Sequence, residues 1–249
     1  MNIIEKILID YNKNSIGQNS QWFINYSINR KESFLSSLNQ LLSYLPPPPA
    51  SILDVGSAPF VLPEALARLG YEVSALDLAP ERFENLDKLS CTVVKGNAEL
   101  PNTIVLNERF DVILLSHVFE HFHLDILASL EGIKSLLKPS GLLVLDTPNL
   151  LSIIGWRNLI LRRTAYSCAN SVYHELSKLK RIGHMGHIRE YTQVELKELL
   201  EGCGFAIEKI EHQDYLVGGG WKRNILRFLQ LVFPGLKMNI HIQARRLDI

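Results

Sequence analysis

Between residues 51 and 145 the chain alternates short apolar runs with amphipathic stretches, and this alternation restricts the fold more than any other feature. The runs at 51–55, 72–76, 91–94, 110–115 and 142–145 read as buried strands, and the intervening 63–69, 80–89 and 126–137 carry helical spacing. Strand, helix, strand in repetition predicts a parallel sheet with helices on both faces, an α/β doubly wound architecture. With 47% apolar residues in 249, the chain has material for one substantial core.

What precedes the alternation is different. Residues 1–45 read as helical, with Ile3, Ile4, Ile7 and Leu8 on one face and Phe34, Leu35, Leu38, Leu41 and Leu42 on another. Four consecutive prolines, Pro46 to Pro49, then end any helix, because they lack amide hydrogens and have fixed φ. The expected division is an N-terminal helical cap over 1–45, a ligand-binding core over 46–149, a lid or substrate insertion over 150–190, and a C-terminal completion of the sheet over 191–249. Residues 150–190 are polar, basic and rich in His, Ser and Tyr, with an apolar helix expected at 150–161. Thr192 with Glu195 forms a capping box that starts a helix through Leu200, and Gly202 and Gly204 mark its end before a strand at 205–210. A helix at 221–231 and a strand at 239–244 close the chain.

Twenty-six basic residues balance twenty-six acidic ones, so no global field favours nucleic acid. Cys91, Cys168 and Cys203 lie far apart without a C-x-x-C pair, which predicts neither a disulfide framework nor a zinc knuckle and points to a reducing, cytoplasmic compartment. Glu5, Lys6 and Asp10 interrupt the N-terminal apolar residues, against a signal peptide, and no window reaches the roughly 20 apolar residues that span a bilayer.

In an open α/β sheet, ligands bind outside the carboxyl ends of the strands. The first strand leaves through Asp54-Val55-Gly56-Ser57-Ala58-Pro59-Phe60, a carboxylate followed by a glycine that permits a tight turn and exposes backbone amides. About 20 residues on, the second strand ends in Asp77, the usual spacing for an acid that accepts hydrogen bonds from a ribose diol.

These motifs resemble the class I S-adenosylmethionine-dependent methyltransferases over about residues 51–148. Asp54-Val55-Gly56 is similar to the family's first motif and Asp77 to its ribose-binding acid. Gly96-Asn97-Ala98-Glu99 is similar to the segment flanking adenine, and the runs from Phe110 to His121 and from Leu137 to Leu145 to its fourth and fifth strands. Thr147-Pro148-Asn149, with Gly186-His187-Ile188-Arg189-Glu190-Tyr191 further on, resembles a subgroup acting on small molecules, glycans or lipid-linked intermediates. The resemblance implies a seven-stranded, mainly parallel sheet, with S-adenosylmethionine as methyl donor and S-adenosylhomocysteine as product. It further implies that Asp54, Gly56, Ser57 and Ala58 cradle the methionine end, Asp77 and Leu78 hold the ribose, and Asn97, Ala98 and Ser116 surround adenine or line the wall. Ala58 and Phe60 stand where the family usually has glycine. The methyl of Ala58 is tolerable at negative φ, and Phe60 either packs under the loop or narrows the methionine pocket.

Methyl transfer from a sulfonium needs an aligned nucleophile and, for an oxygen of high pKa, a base. His117, after the fourth strand, and His187 and Tyr191, in the polar tail, are the candidate catalytic residues. His184, His187 and Glu190 would share a face if helical, but Gly183 and Gly186 oppose a helix, and no metal is expected. The stretches 156–163 and 221–229 combine Trp, cations and apolar residues, which suits either packing on the sheet or peripheral contact with a membrane. The acceptor expected is a small molecule, glycan or lipid-linked intermediate, methylated on O or N. One rival reading is a non-catalytic protein that binds S-adenosylmethionine or S-adenosylhomocysteine. A nicotinamide-dependent dehydrogenase is weaker, because two of the three glycines of G-x-G-x-x-G are missing.

Overall fold

The computed structural model describes residues 1–100, 103, 104, 106, 108–168, 171–182, 186–214 and 221–248, with 182, 221–223 and 225 in backbone only. Three helices, α1 (Ile3–Lys13), α2 (Gln21–Asn29) and α3 (Lys31–Leu42), precede a seven-stranded mixed sheet. Its strands are β1 (Ser51–Val55), β2 (Glu72–Asp77), β3 (Thr92–Lys95), β4 (Phe110–Ser116), β5 (Leu137–Pro148), β6 (Phe205–Gln213) and β7 (Asn239–Arg246), in the order β3-β2-β1-β4-β5-β7-β6. Helices α4 (Val61–Arg68), α5 (Ile126–Leu136), α6 (Ile153–Arg157), α7 (Val172–Ile182), α8 (Gln193–Gly202) and α9 (Trp221–Val232) complete the chain. The α/β sheet expected from the alternation is present. No helix among the described residues is long and apolar enough to cross a membrane.

The chain forms two compact units, Met1–Leu114 with Gly132–Gly141, and Leu115–Glu131 with Leu142–Ile249. In the first, β1 pairs in parallel with β2 and β2 with β3. All five β1 residues are buried, as a strand covered on both faces requires. Asn2 caps α1 in a reciprocal box with Glu5, and Ile4, Ile7 and Tyr11 are buried along that helix. Glu64, fully buried in α4, accepts the Ser90 and Cys91 amides, the Ser90 hydroxyl and the Arg68 guanidinium. This one carboxylate therefore ties the approach to β3 onto α4.

The helix expected at 80–89 does not form. Short 3-10 turns at Pro80–Arg82 and Leu86–Lys88 replace it, separated by Asn85 in the left-handed region at φ 58°. Tertiary packing explains the difference. The Phe83 ring lies 5.1 Å from that of Phe23 and 6.1 Å from those of Trp22 and Phe60, and Asn19 bonds both the Arg82 carbonyl and the Glu84 amide.

In the second unit, β7 lies between β5 and β6 and is antiparallel to both. The Thr192–Glu195 capping box is formed, with the Thr192 amide 2.8 Å from Glu195 and the Glu195 amide 3.3 Å from the Thr192 hydroxyl. The apolar helix expected at 150–161 is only five residues of α-helix, capped by Ser152, and then widens to a π-helix over Asn158–Arg162. Buried Asn158 donates to the Tyr166 carbonyl at this transition. In the Thr147-Pro148-Asn149 sequence, Thr147 is fully buried and Asn149 donates to the Gly235 and Lys237 carbonyls.

Replacing Glu64 with Ala takes the carboxylate away from four donors of the first unit, the Ser90 and Cys91 amides, the Ser90 hydroxyl and the Arg68 guanidinium. Unfolding in urea should show a loss of about 3 kcal/mol or more, and a loss under 1 kcal/mol would mean that water replaces the carboxylate.

Candidate active site

The first unit builds its site at the carboxyl ends of β1 and β2. Gly56 takes φ 71°, and its amide and that of Ser57 bond back to the Leu76 carbonyl at 2.8 and 3.2 Å, so the β1 loop is folded onto the end of β2. Phe60 adopts φ 62°, a glycine-like conformation, and is fully buried in edge contact with Phe83. This burial fits the alternative in which Phe60 packs under the loop. Ala58 is not among the left-handed residues.

Two carboxylates meet this loop. Asp77 accepts the Ala58 amide at 3.2 Å on one oxygen and the Ala79 amide at 3.0 Å on the other, which leaves a lone pair on each for hydroxyl donors. Asp54 is 4% exposed, and burial pushes its carboxyl up to about 7, with the Ser57 hydroxyl opposing and the Asp77 charge adding. Ser57 is buried and its hydroxyl donates to the Asp54 carbonyl. Leu78 is exposed, Ala98 buried and Asn97 half-buried, its side-chain oxygen accepting the Glu99 amide at 2.9 Å.

The second unit carries the remaining candidates. Ser116 lies within 3.5 Å of Asp146, which also holds buried His241 at 2.8 Å. His117 is left-handed at φ 56°, its amide bonded to the Asp146 carbonyl and its Nδ1 3.6 Å from Glu120. An exposed residue held in this region marks local strain of the kind that collects at functional sites. Burial alone would raise the fully buried Glu120 carboxyl, but His117 and His121 outweigh it and hold the group below its ordinary value. Thr147 donates its hydroxyl to the other Glu120 oxygen at 3.0 Å. His121 Nδ1 donates to the Gly186 carbonyl at 3.0 Å, which leaves the lone pair on Nε2; burial lowers its pKa despite Glu120.

His187 approaches Glu190 at 3.3 Å and meets the His121 ring edge to face. Burial lowers its pKa, and the surrounding Glu190, Glu120 and Glu175 carboxylates more than reverse this. Tyr191 is fully buried, its ring 5.0 Å from that of Phe119, and burial raises its phenol. Residues 186–190 are irregular rather than helical, so His187 and Glu190 do not share the helical face expected with His184, which lies outside the described residues. Glu120, Asp146, His241 and the partnership of Cys168 with Glu190 carry no motif in the sequence. An acid directly before His121 was visible, but nothing in the sequence indicated that it is buried.

A family model for the methyltransferase domain matches residues 26–210, and the chain belongs to this family. Its fold is that of S-adenosylmethionine-dependent methyltransferases of known structure. Among curated proteins it is 36% identical over 102 residues to a ubiquinone biosynthesis O-methyltransferase of Cereibacter sphaeroides, covering 39% of this chain and 41% of that one. The chain thus matches about two fifths of the length of such relatives. The fold is similar to a methyltransferase from Archaeoglobus fulgidus, at TM-score 0.54 and 18% identity, covering 89% of this chain and 99% of that one. It is also similar to magnesium protoporphyrin IX methyltransferase from Synechocystis PCC 6803 with bound SAH, at TM-score 0.51 and 14% identity, over 89% and 85% of the two chains.

Asp54 makes stability depend on pH. A carboxyl with a higher pKa folded than unfolded binds its proton more tightly in the native state, so stability falls as pH rises from about 4 to about 7 and stays low above that. Asp54→Asn should therefore raise native stability by about 2–4 kcal/mol at pH 8 and by less at pH 5. Thermal unfolding at the two pH values measures this, and an equal effect at both would mean that Asp54 is ionised throughout.

Proposed function

We propose that this methyltransferase moves the methyl group of S-adenosylmethionine onto a hydroxyl oxygen of a small acceptor that carries an apolar tail. The observation that carries the acceptor class is an apolar surface of the second unit. Leu151, Trp156, Val232, Phe233 and Leu236 line a shallow groove of about 440 Å³. Ile160, Leu161, Phe228 and Leu231 are largely exposed in the same unit, together with Arg162 and Arg163. Apolar side chains beside cations suit a tail presented at an anionic lipid surface. The names of the curated relatives, O-methyltransferases of ubiquinone biosynthesis, support oxygen as the acceptor atom.

The donor set fits the cofactor. Asp54 is a buried carboxylate suited to the methionine ammonium, which would hold it ionised, and the open lone pairs of Asp77 suit the ribose diol. Gly56, Ser57 and Ala58 would supply the loop backbone beside them, Leu78 would lie against the ribose, and Asn97 and Ala98 against adenine. When bound, the cofactor supplies a methyl already activated by its sulfonium. The protein then positions the acceptor and removes its proton. His117, with Nδ1 turned to Glu120, takes that proton on Nε2, and Glu120 stabilises the imidazolium that results. Tyr191, packed on Phe119, is a positioning residue for the turn that presents Glu120.

Calorimetry with S-adenosylhomocysteine tests the donor side. Asp77→Ala should weaken binding about tenfold or more, and wild-type affinity should fall by up to about tenfold per unit as pH drops below 7 and Asp54 takes up its proton. His117→Ala should lower turnover about 10²-fold or more with S-adenosylhomocysteine affinity unchanged. Comparing prenylated with unprenylated phenols, with phosphatidylglycerol vesicles present, tests the acceptor. Equal turnover of both, and no loss of vesicle binding in Leu161→Glu, would remove the tail and the membrane from the proposal.

A further inference from the structure

The second unit also holds donor atoms in an arrangement that methyl transfer does not require. Cys168 precedes α7, and His187 and Glu190 follow it. Cys168 Sγ is 3.6 Å from His187 Nδ1 and 3.3 Å from Glu190 Oε1, and those two atoms are 3.3 Å apart. A tetrahedral Zn²⁺ has bonds of about 2.3 Å to sulfur, 2.0–2.1 Å to nitrogen and 2.0–2.2 Å to oxygen, which place its ligand atoms about 3.3–3.6 Å apart. The three observed edges span the same range, and a thiolate with an imidazole selects zinc over magnesium or calcium. We propose that Cys168, His187 and Glu190 bind one Zn²⁺, with water in the fourth position.

The surroundings are those of a built site. The second oxygen of Glu190 is held by the Ser167 amide and hydroxyl, which fixes the carboxylate so that Oε1 faces the other two donors. The His187 amide donates to Glu175 at 3.0 Å, and Lys178 braces that carboxylate. Gly186 permits this approach, because a Cβ there would come within 2.3 Å of the Glu175 carbonyl oxygen. Thiolate and carboxylate together balance the dication. Glu120, Glu175 and His121 are the other titratable groups against His187, and the two carboxylates add to the local negative potential.

A second set, Glu120, His121 and His187, shares the imidazole, but Glu120 already accepts from Thr147 and pairs with His117, and His121 Nδ1 donates to the Gly186 carbonyl. The set with sulfur is therefore the one assigned. Binding displaces the Cys168 thiol proton, and any proton on His187 Nδ1, to solvent; the metal remains Zn²⁺ and nothing is oxidised. The ion links the chain on either side of α7.

The test uses the full chain, stripped with a chelator under reducing conditions, reloaded with Zn²⁺ alone and desalted. Elemental analysis should find about one zinc per chain, and zinc should raise the melting temperature. Substituted Co²⁺ should show a thiolate charge-transfer band with tetrahedral d–d absorption. Cys168→Ala should melt like the stripped wild type, retain no zinc and lose the charge-transfer band, whereas Glu120→Gln should retain the metal. Substoichiometric zinc in the wild type, a cobalt spectrum without the thiolate band, or full retention by Cys168→Ala would each overturn the assignment. Loss of metal from Glu120→Gln with retention by Cys168→Ala would move the ion to the second set. None of these readouts depends on methyl transfer.

Discussion

The organisation of the first unit depends on a carboxylate buried at the end of β1. An acid placed there without a cation is unfavourable, and the elevated pKa of Asp54 is the form this cost takes. The fold tolerates it because the surroundings are rigid: β1 is buried along its whole length, the loop amides are anchored on Leu76, and Phe60 is locked in a left-handed conformation beneath the loop. A looser loop would let Asp54 reach water and relax to an ordinary carboxylate. The rigidity that keeps Asp54 from water and the stability it costs are thus one property seen from two sides.

The second unit solves a related problem differently. Three acidic residues, Glu120, Glu175 and Glu190, are almost fully buried, and each is held below its ordinary pKa by donors that outweigh desolvation. Glu120 has His117 and Thr147, Glu175 has Lys178 and the His187 amide, and Glu190 has Ser167 and His187. These acids order the chain around α7 through polar contacts, where the first unit relies on aromatic packing and a parallel sheet.

Features governed by local chemistry were legible in the sequence. The tight turn that Gly56 permits after β1 and the acid that ends β2 at Asp77 are both present, and Thr192 with Glu195 forms the capping box its spacing implies. Features governed by distant partners were not. The segment 80–89 has helical spacing, yet Phe83 is drawn into a cluster with Phe23 and Phe60, contributed by parts of the chain far from it in sequence. Glu120 looks like a surface acid until Thr147 and the neighbouring imidazoles enclose it. Cys168 has no second cysteine nearby in sequence, and a C-x-x-C pattern is blind to ligands from the far side of a helix.

His187 is where the two kinds of information diverge most. In sequence it stands beside glycines and a tyrosine, and a helical face was the only geometry in which its neighbours made sense as ligands. In the structure its ring nitrogen faces sulfur and a carboxylate oxygen, while Glu120 and Glu175 lie close enough to bias its charge. An imidazolium there neutralises one of several buried negative charges. Converting the Cys168 thiol to thiolate would add another, and a dication then balances what a single proton cannot. Irregular backbone, not helix, creates this site, and in that form His187 and Glu190 reach the chain that precedes α7.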